Sequence, residues 1–373
     1  MSWEWFFFIG FGLLTVRFCF FWFGHRRARQ FERQFSRKSG GAYQPLVSVV
    51  VPARNEEQHI AECVHSIFRN DYPHFEVIVV DDQSEDRTAE ILHQLQQQYG
   101  QQLRVVSTQS VDSPLVGKAR ALATGVRYAT GEILLFTDAD CIVPATWIAA
   151  MVQPFQSPAV GCVASFSSMV AHRWFDQLQQ VEWLYNHTLA RAGLGWNVPL
   201  GCFGNNLAIR HSAYQQTGGL EQIPYSMLTE DLALLLAVRQ QGYRCVYMLS
   251  PQTYVLTYPL RTFREYLRQH HRWVHGGTAL GWKAVAFMTV TVAYWLGVIA
   301  ALLGSPPAAM VLLGARCVYD VVLLLPAVRT LRQWEILRPR LISILLFFQL
   351  LEVSLPLFLI PRHVYWKDRR LKR

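Results

Sequence analysis

The chain has 373 residues, a formal net charge of +9, and 51% hydrophobic and 13% aromatic content. That length holds one large domain or two with ample core. Its 7 cysteines are scattered, with no C-x-x-C pair, which speaks against a disulfide framework or a zinc site and suits a reducing compartment.

From Trp5 to Phe23 nearly every residue is apolar, with Arg17 as the charged break. The run is about long enough to cross a bilayer, which takes roughly 20 residues. A secretory signal fits less well, because the positive charge follows the run and no small-residue cleavage site does. His25, Arg26, Arg27 and Arg29, then Arg33, Arg37 and Lys38, come directly after. The positive-inside rule then puts Met1 outside and the following domain in the cytoplasm. Basic clusters beside hydrophobic runs point to membrane lipid as the anionic neighbour, and not to nucleic acid.

Gly40, Gly41 and Pro45 read as a linker. From Leu46 the pattern alternates. Strands are expected at Leu46–Val51, Phe75–Val80, Leu103–Ser107, Glu132–Phe136 and Val160–Ser165. Helices are expected at Glu57–Arg69, Thr88–Tyr99, Gly117–Ala129 and Ala145–Val152. This is the text of a doubly wound, mostly parallel α/β sheet. Asp176–Ala192 and Asp231–Gln241 read as further helices, and Arg261–Trp273 as an amphipathic helix lying in a membrane interface. Three apolar runs follow at Ala279–Gly304, Pro307–Val328 and Leu341–Ile360, the last interrupted by Glu352 and Pro356. Three full crossings would leave the basic tail outside, against the charge rule, so a broken last segment with the tail inside is favoured. The organisation expected is a membrane helix at 1–24, a basic linker at 25–45 and a catalytic domain at 46–257. An interfacial segment at 258–278, three membrane segments at 279–361 and a basic tail at 362–373 complete it.

The buried run Val77–Val80 ends in Asp81, Asp82 and Ser84. Ligands of open α/β sheets bind beyond the carboxyl ends of strands, and a paired acid there is costly unless solvated or partnered. A capped turn is the alternative. Asp138 and Asp140 flank Ala139 in a turn after a second such run. Two carboxylates so spaced can share one hard divalent cation, Mg2+ or Mn2+, which would also hold nucleotide phosphates. Thr229, Glu230 and Asp231 open a helix, where a cap explains part of the pattern. His270 and His271 are neighbours on a helix and point apart, which disfavours a shared metal.

In order, Val49–Glu57, Asp81-Asp82-Gln83-Ser84, Gly117–Leu122, Asp138-Ala139-Asp140, Gly204-Asn205-Asn206, Thr229-Glu230-Asp231 and the Q-x-x-R-W of Gln269, Arg272 and Trp273 resemble one family. It is the membrane-bound family-two glycosyltransferases, whose catalytic domain has the GT-A fold, and the likeness covers Val47 to Trp273. It implies that Asp82, with Asp81, holds the base and ribose of a nucleoside-diphosphate sugar, usually uridine-based. It implies Asp138 and Asp140 for the metal and diphosphate, and Asp231 as general base. Gln269, Arg272 and Trp273, with Glu230 and Asn205, would line the acceptor and diphosphate side, and Lys118 would touch the donor. Ala53 and Arg54 stand where relatives carry Thr and Tyr, so Arg54 is expected to meet the base through its planar guanidinium. Ala123 replaces a common asparagine. The layout resembles ceramide-type glucosyltransferases and, through Q-x-x-R-W, processive polysaccharide synthases. The expected acceptor is a lipid, with a growing glycan as the alternative. A sensor that binds a nucleotide sugar without turnover is the rival outside the enzymes, and Asp231 argues against it. A transporter is disfavoured by the few spans and the absence of charged residues paired within them.

Overall fold

The computed structural model describes residues 2–36, 43–110, 112–224, 228–338, 340–360, 364–366 and 369–371. A seven-stranded sheet forms the centre, in the order β3-β2-β1-β4-β7-β5-β8. Its strands are β1 (Val47–Ala53), β2 (Phe75–Asp81), β3 (Leu103–Ser107), β4 (Ile133–Phe136), β5 (Val160–Ser165), β7 (Leu207–Arg210) and β8 (Arg244–Met248). A short ribbon pairs β6 (Ser167–Met169) with β9 (Val255–Thr257). The first four strands of the order are parallel. β7 runs antiparallel to both β4 and β5.

Covering the sheet are α2 (Ile60–Phe68), α3 (Thr88–Tyr99), α4 (Gly117–Tyr128), α5 (Trp147–Val152), α6 (Trp174–Gly195), α7 (His211–Gln216) and α8 (Glu230–Gln240). Alternation decides which face each residue serves. Val47, Val49 and Val51 join Ile133 and Leu135 in the core under α2 and α5, while Val50, Leu134 and Phe136 turn to the core shared with α4, α6 and α8. Both faces are covered, which is why these strands read as unbroken apolar runs. β1 is central between β2 and β4, so the carboxyl ends of all three open on one edge.

α1 (Trp3–Ser36) carries the first apolar run. It does not stop where a linker at residue 25 was expected; it continues as helix to Ser36. The reason is packing. Arg191 of α6, 1% exposed, pairs with Glu32 at 2.6 Å, and the other Glu32 oxygen accepts from the Leu249 N–H at 2.9 Å. Glycines let the two helices touch: a Cβ on Gly195 would fall 1.9 Å from the Gly24 carbonyl oxygen. Gly40 and Gly41 lie outside the described residues.

After the sheet come α9 (Phe263–Gly277), α10 (Trp282–Gly304), α11 (Pro306–Leu331) and α12 (Arg340–Ser354). Among the described residues, four helices are long and apolar enough to cross a membrane, the last counted through Leu359. That last segment breaks: α12 ends at Ser354 and Leu355–Leu359 forms a 3-10 turn around Pro356. Beyond it Val364 is buried against Val116 and Leu228, so the chain comes back to the side of the catalytic domain. The tail at Lys372 is outside the described residues.

The membrane-type helices do contain paired charges, against the reading from sequence. Arg17 meets Glu352 at 2.9 Å, and Arg316 meets Asp320 at 2.8 Å and Glu352 at 3.0 Å. Tyr185 of α6 donates to Asp320 at 3.0 Å and accepts from Arg17 at 3.0 Å. Two cations and two anions balance, and each would be prohibitively costly in an apolar layer alone. Arg316 and Asp320 stand four apart on α11, a spacing readable in the sequence, whereas Arg17 and Glu352 come from α1 and α12, which only the fold brings to them.

Candidate active site

β2 ends at Asp81, and the backbone turns sharply there, with Gln83 in the left-handed region at φ 60°. A non-glycine residue in that region is unusual and often marks a functional turn. Arg54, at the end of β1, donates to the carbonyls of Asp82 at 2.7 Å and Gln83 at 3.1 Å and reaches Glu85 at 3.3 Å. It is 8% exposed, so it ties the ends of β1 and β2 together and leaves little of its face for a base. Asp82 has no exposed surface, and its carboxylate accepts from Thr108 Oγ1 at 2.9 Å. Asp81 is the half-buried member of the pair and accepts from Ser84 Oγ at 2.5 Å.

Two strand positions away, roughly 10 Å at the usual spacing, β4 delivers Asp138 and Asp140, both half-buried. α4 opens on Gly117 at φ 62°, which turns Lys118 toward them. Lys118 Nζ sits 2.7 Å from Asp138 Oδ1 and 3.1 Å from Glu230 Oε1. Burial opposes the charge on this ammonium, but Asp138, Glu230 and Asp231 together outweigh burial and raise its pKa. Asp231 begins α8, where the Leu232 N–H donates to one carboxylate oxygen at 2.7 Å and the Gly204 N–H to the other at 2.8 Å. Gly204 is open because the space is tight: a Cβ there would lie 3.3 Å from both the Asp231 Cβ and Lys118 Nζ. Burial first, and then the neighbouring Glu230, push the Asp231 carboxyl up to about 6, against Lys118 and the two N–H donors. A carboxylate poised there can take a proton near neutral pH.

Lys118, Asp138, Asp140, Asn205, Glu230, Asp231, Gln269, Arg272 and Trp273 all border one cavity of about 1280 Å³. Arg54, Asp81 and Asp82 lie on the neighbouring part of the edge, outside that lining. Asn205 is 3% exposed and its amide oxygen accepts from Ser167 Oγ at 3.0 Å. Asn206 is a structural pin: it accepts from Trp147 Nε1 at 3.0 Å and donates to the carbonyls of Phe166 and Thr253. α9 carries Gln269, Arg272 and Trp273, and its start is fixed by reciprocal capping between Thr262 and Glu265. Trp273 packs against Trp183 and Phe203, each 6.2 Å between ring centres. The cavity continues past Phe287, Met288, Val292 and Leu296 of α10 to Leu351, Leu355 and Leu359.

The histidines do part company: His271 rests against His275, while His270 turns inward to Glu182 at 2.6 Å. Neither Glu182 nor Tyr185 was found from the sequence; a carboxylate set between Val181 and Trp183 in the middle of α6 was the available signal. Among the described residues no three His, Cys, Asp or Glu side chains cluster as a complete metal site. Asp138 and Asp140 still suit Mg2+ or Mn2+, which are commonly held by one or two carboxylates with substrate phosphates and water.

Two family models match: Glycosyl transferase family 2 over residues 48–217 and Glycosyl transferase family group 2 over 133–355. A probable glycosyltransferase of Bacillus subtilis is 27% identical over 75% of this chain and 68% of its own length. A beta-monoglucosyldiacylglycerol synthase of Synechocystis sp. is 29% identical over 62% of this chain and 48% of its own. An N-acetylglucosaminyltransferase of Bradyrhizobium diazoefficiens is 28% identical over 64% and 51%. The chain thus spans about half the length of the last two. A mannosyltransferase of Pyrobaculum calidifontis, solved in complex with GDP-Man and Mn2+, superposes with a TM-score of 0.57 at 23% identity, over 92% of this chain and 98% of that one. That likeness establishes the shared fold. By motif order, sheet topology and family match, the chain belongs to glycosyltransferase family 2 and is a GT-A glycosyltransferase with membrane-type helices at both ends.

Proposed function

We propose that the protein transfers a sugar from a nucleoside-diphosphate sugar to the hydroxyl of a lipid, with inversion, at the cytoplasmic face of a membrane. The observation that carries this reading is the single cavity joining the carboxylates of the sheet edge to the apolar faces of α10 and the broken last segment. A lipid tail fits the apolar end while its hydroxyl reaches the polar end. Relatives named as beta-monoglucosyldiacylglycerol synthases support the acceptor class. The D-D resemblance favours uridine in the donor, with Asp81 and Asp82 on the nucleoside side.

Each residue then has a task. Asp231 takes the proton from the acceptor hydroxyl as that oxygen attacks the anomeric carbon and the bond to the diphosphate breaks. Lys118 and Arg272 supply positive charge toward the departing diphosphate. A divalent cation held by Asp138 and Asp140 supplies further stabilisation of that leaving group when bound. Glu230, paired to Lys118, keeps that ammonium in place, and Gln269 and Trp273 bound the acceptor side, with Asn205 behind them.

The test is direct. Purified protein in detergent is given labelled UDP- or GDP-sugars with diacylglycerol or ceramide, and products are read by mass spectrometry. A lipid bearing one added sugar is expected. A polymer, as from a polysaccharide synthase, or turnover with no lipid product would refute the reading; no turnover with any donor would favour the sensor.

A further inference from the structure

A second cavity, of about 520 Å³, shares no lining residue with the active-site cavity. It lies where the second half of α1 meets the end of α6 and the edge strand β8. Its polar side chains include Arg27, Gln30 and Gln34 of α1, Asn197 after α6, and Arg244 at the start of β8. All five residues are exposed, so a ligand can reach them. Among the described residues no carboxylate lines the cavity.

Both guanidinium groups are held in place without being neutralised. Arg27 lies 4.5 Å from the Trp196 ring centre and Arg244 5.4 Å from that of Phe31. Among the described residues neither forms an ion pair. Stacking fixes the plane of a guanidinium and leaves its edge N–H groups for a phosphate, which arginine can grip with two parallel hydrogen bonds. Asn197, in the left-handed region at φ 62°, accepts from Arg239 through its amide oxygen. Its amide N–H groups are thereby left as donors, and Arg239 brings a third cation nearby.

The cavity also stands at a telling height. Arg27 follows Phe23, the end of the apolar run, by four residues, or about 6 Å of helix. The polar headgroup layer of a bilayer is roughly 5–8 Å thick on each side. Trp196 marks the same level, because its indole N–H donates to the Phe20 carbonyl at 2.7 Å. Phe31, Leu194 and Val246 give the cavity apolar walls beside its charges.

We propose that this cavity binds the phosphate of an anionic membrane lipid. Arg27 and Arg244 hold the phosphate from two sides, and Asn197 and Gln30 donate to it. Basic pockets beside membrane helices are the setting in which such headgroups bind. A soluble glycerol phosphate would meet the same donors, but the height of the cavity favours the lipid. The inference rests on α1 lying in the membrane and is independent of the sugar-transfer reading.

The experiment incubates the full-length protein in detergent with equal amounts of phosphatidylglycerol and phosphatidylcholine, whose choline cation the arginines repel. Lipid retained per chain is counted by native mass spectrometry. The wild type is expected to keep phosphatidylglycerol with a preference of roughly tenfold or more, the scale of a charge-assisted hydrogen bond. Arg27→Gln and Arg244→Gln should each lower its retention by roughly tenfold, on the same scale. Arg26→Gln and Arg33→Gln, on the same helix but outside the cavity, should change it by no more than about twofold, since solvent and salt screen them. Gln30→Glu, which places a carboxylate in the cavity, should abolish the preference even if an arginine variant fails to fold. Equal losses at all four arginines would show a diffuse attraction and overturn the proposal, as would equal retention of the two lipids. Displacement of the lipid by equimolar glycerol 3-phosphate would keep the phosphate site and overturn its assignment to lipid. Sugar transfer is not read, so failure here leaves the proposed function standing.

Discussion

Replacing Lys118 with methionine probes the electrostatics of the proposed base. The ammonium of Lys118 and the Asp231 Cβ each lie 3.3 Å from the point where a Gly204 Cβ would stand, so they are no more than twice that apart. At roughly 6 Å and an effective dielectric of about 20, the attraction is about 2.8 kcal/mol, or about two pH units on the Asp231 carboxyl. In the wild type that carboxyl is pushed up to about 6. A base must be ionised, so transfer should fall as pH drops through about 6, to roughly a tenth of its plateau one unit lower. In Lys118→Met the acid limb should move up toward pH 8, whatever is lost in maximal rate by uncovering Asp138. Asp231→Asn should remove the limb and lower transfer by roughly 100-fold or more, with Glu230→Gln losing less. The assay is the rate of sugar transfer at saturating substrates from pH 5 to 9. A limb that stays put in Lys118→Met, or near-normal transfer in Asp231→Asn, would refute the assignment and leave these residues as a helix cap and its counter-ion.

Two other outcomes follow from the geometry. Asp140→Ala should keep the fold, since the residue sits in a turn, and abolish divalent-dependent transfer; full wild-type activity in excess chelator would contradict a metal role. Glu352→Gln strips the shared anion from Arg17 and Arg316 and should destabilise the helix bundle by about 3–5 kcal/mol, the cost of breaking a buried pair, which thermal unfolding in detergent would register; an unchanged midpoint would show that the cluster is solvated.

Much of the sheet was legible because burial on both faces writes itself as uninterrupted aliphatic runs. Leu103–Ser107 and Val160–Ser165 fall where the apolar pattern places them. β7 and β8 were missed although Gly204-Asn205-Asn206 and Gly242 precede them: Leu207–Arg210 is four residues long and ends in a charge, and Arg244–Met248 opens on one. The helical run from His25 to Ser36 was masked by its arginines, although Gly24, Ala28 and Phe31 recur at helical spacing. Motif residues were readable because they come in a fixed order. Side-chain pairings across the chain were not, since Glu182 and His270 are 88 positions apart and Arg17 and Glu352 are 335 apart. Exposure, too, belongs to the fold: nothing in Asp81-Asp82 says which of the two faces solvent.

The continuity of α1 into the catalytic domain has a mechanical consequence. A helix of 34 residues is about 51 Å long at 1.5 Å per residue, whereas a hydrocarbon layer takes about 30 Å. The remainder is a rigid mast, bolted to α6 by Arg191 and Glu32 and by the glycine crossing. With the apolar part of α1 in a bilayer, such a mast would hold the candidate site at one height above it. A lipid acceptor, as proposed, would bring its hydroxyl to that height, and a product lengthened by one sugar would carry its new end beyond it. On the proposed reading, reach set by the anchor would limit how many sugars are added, with no separate counting device.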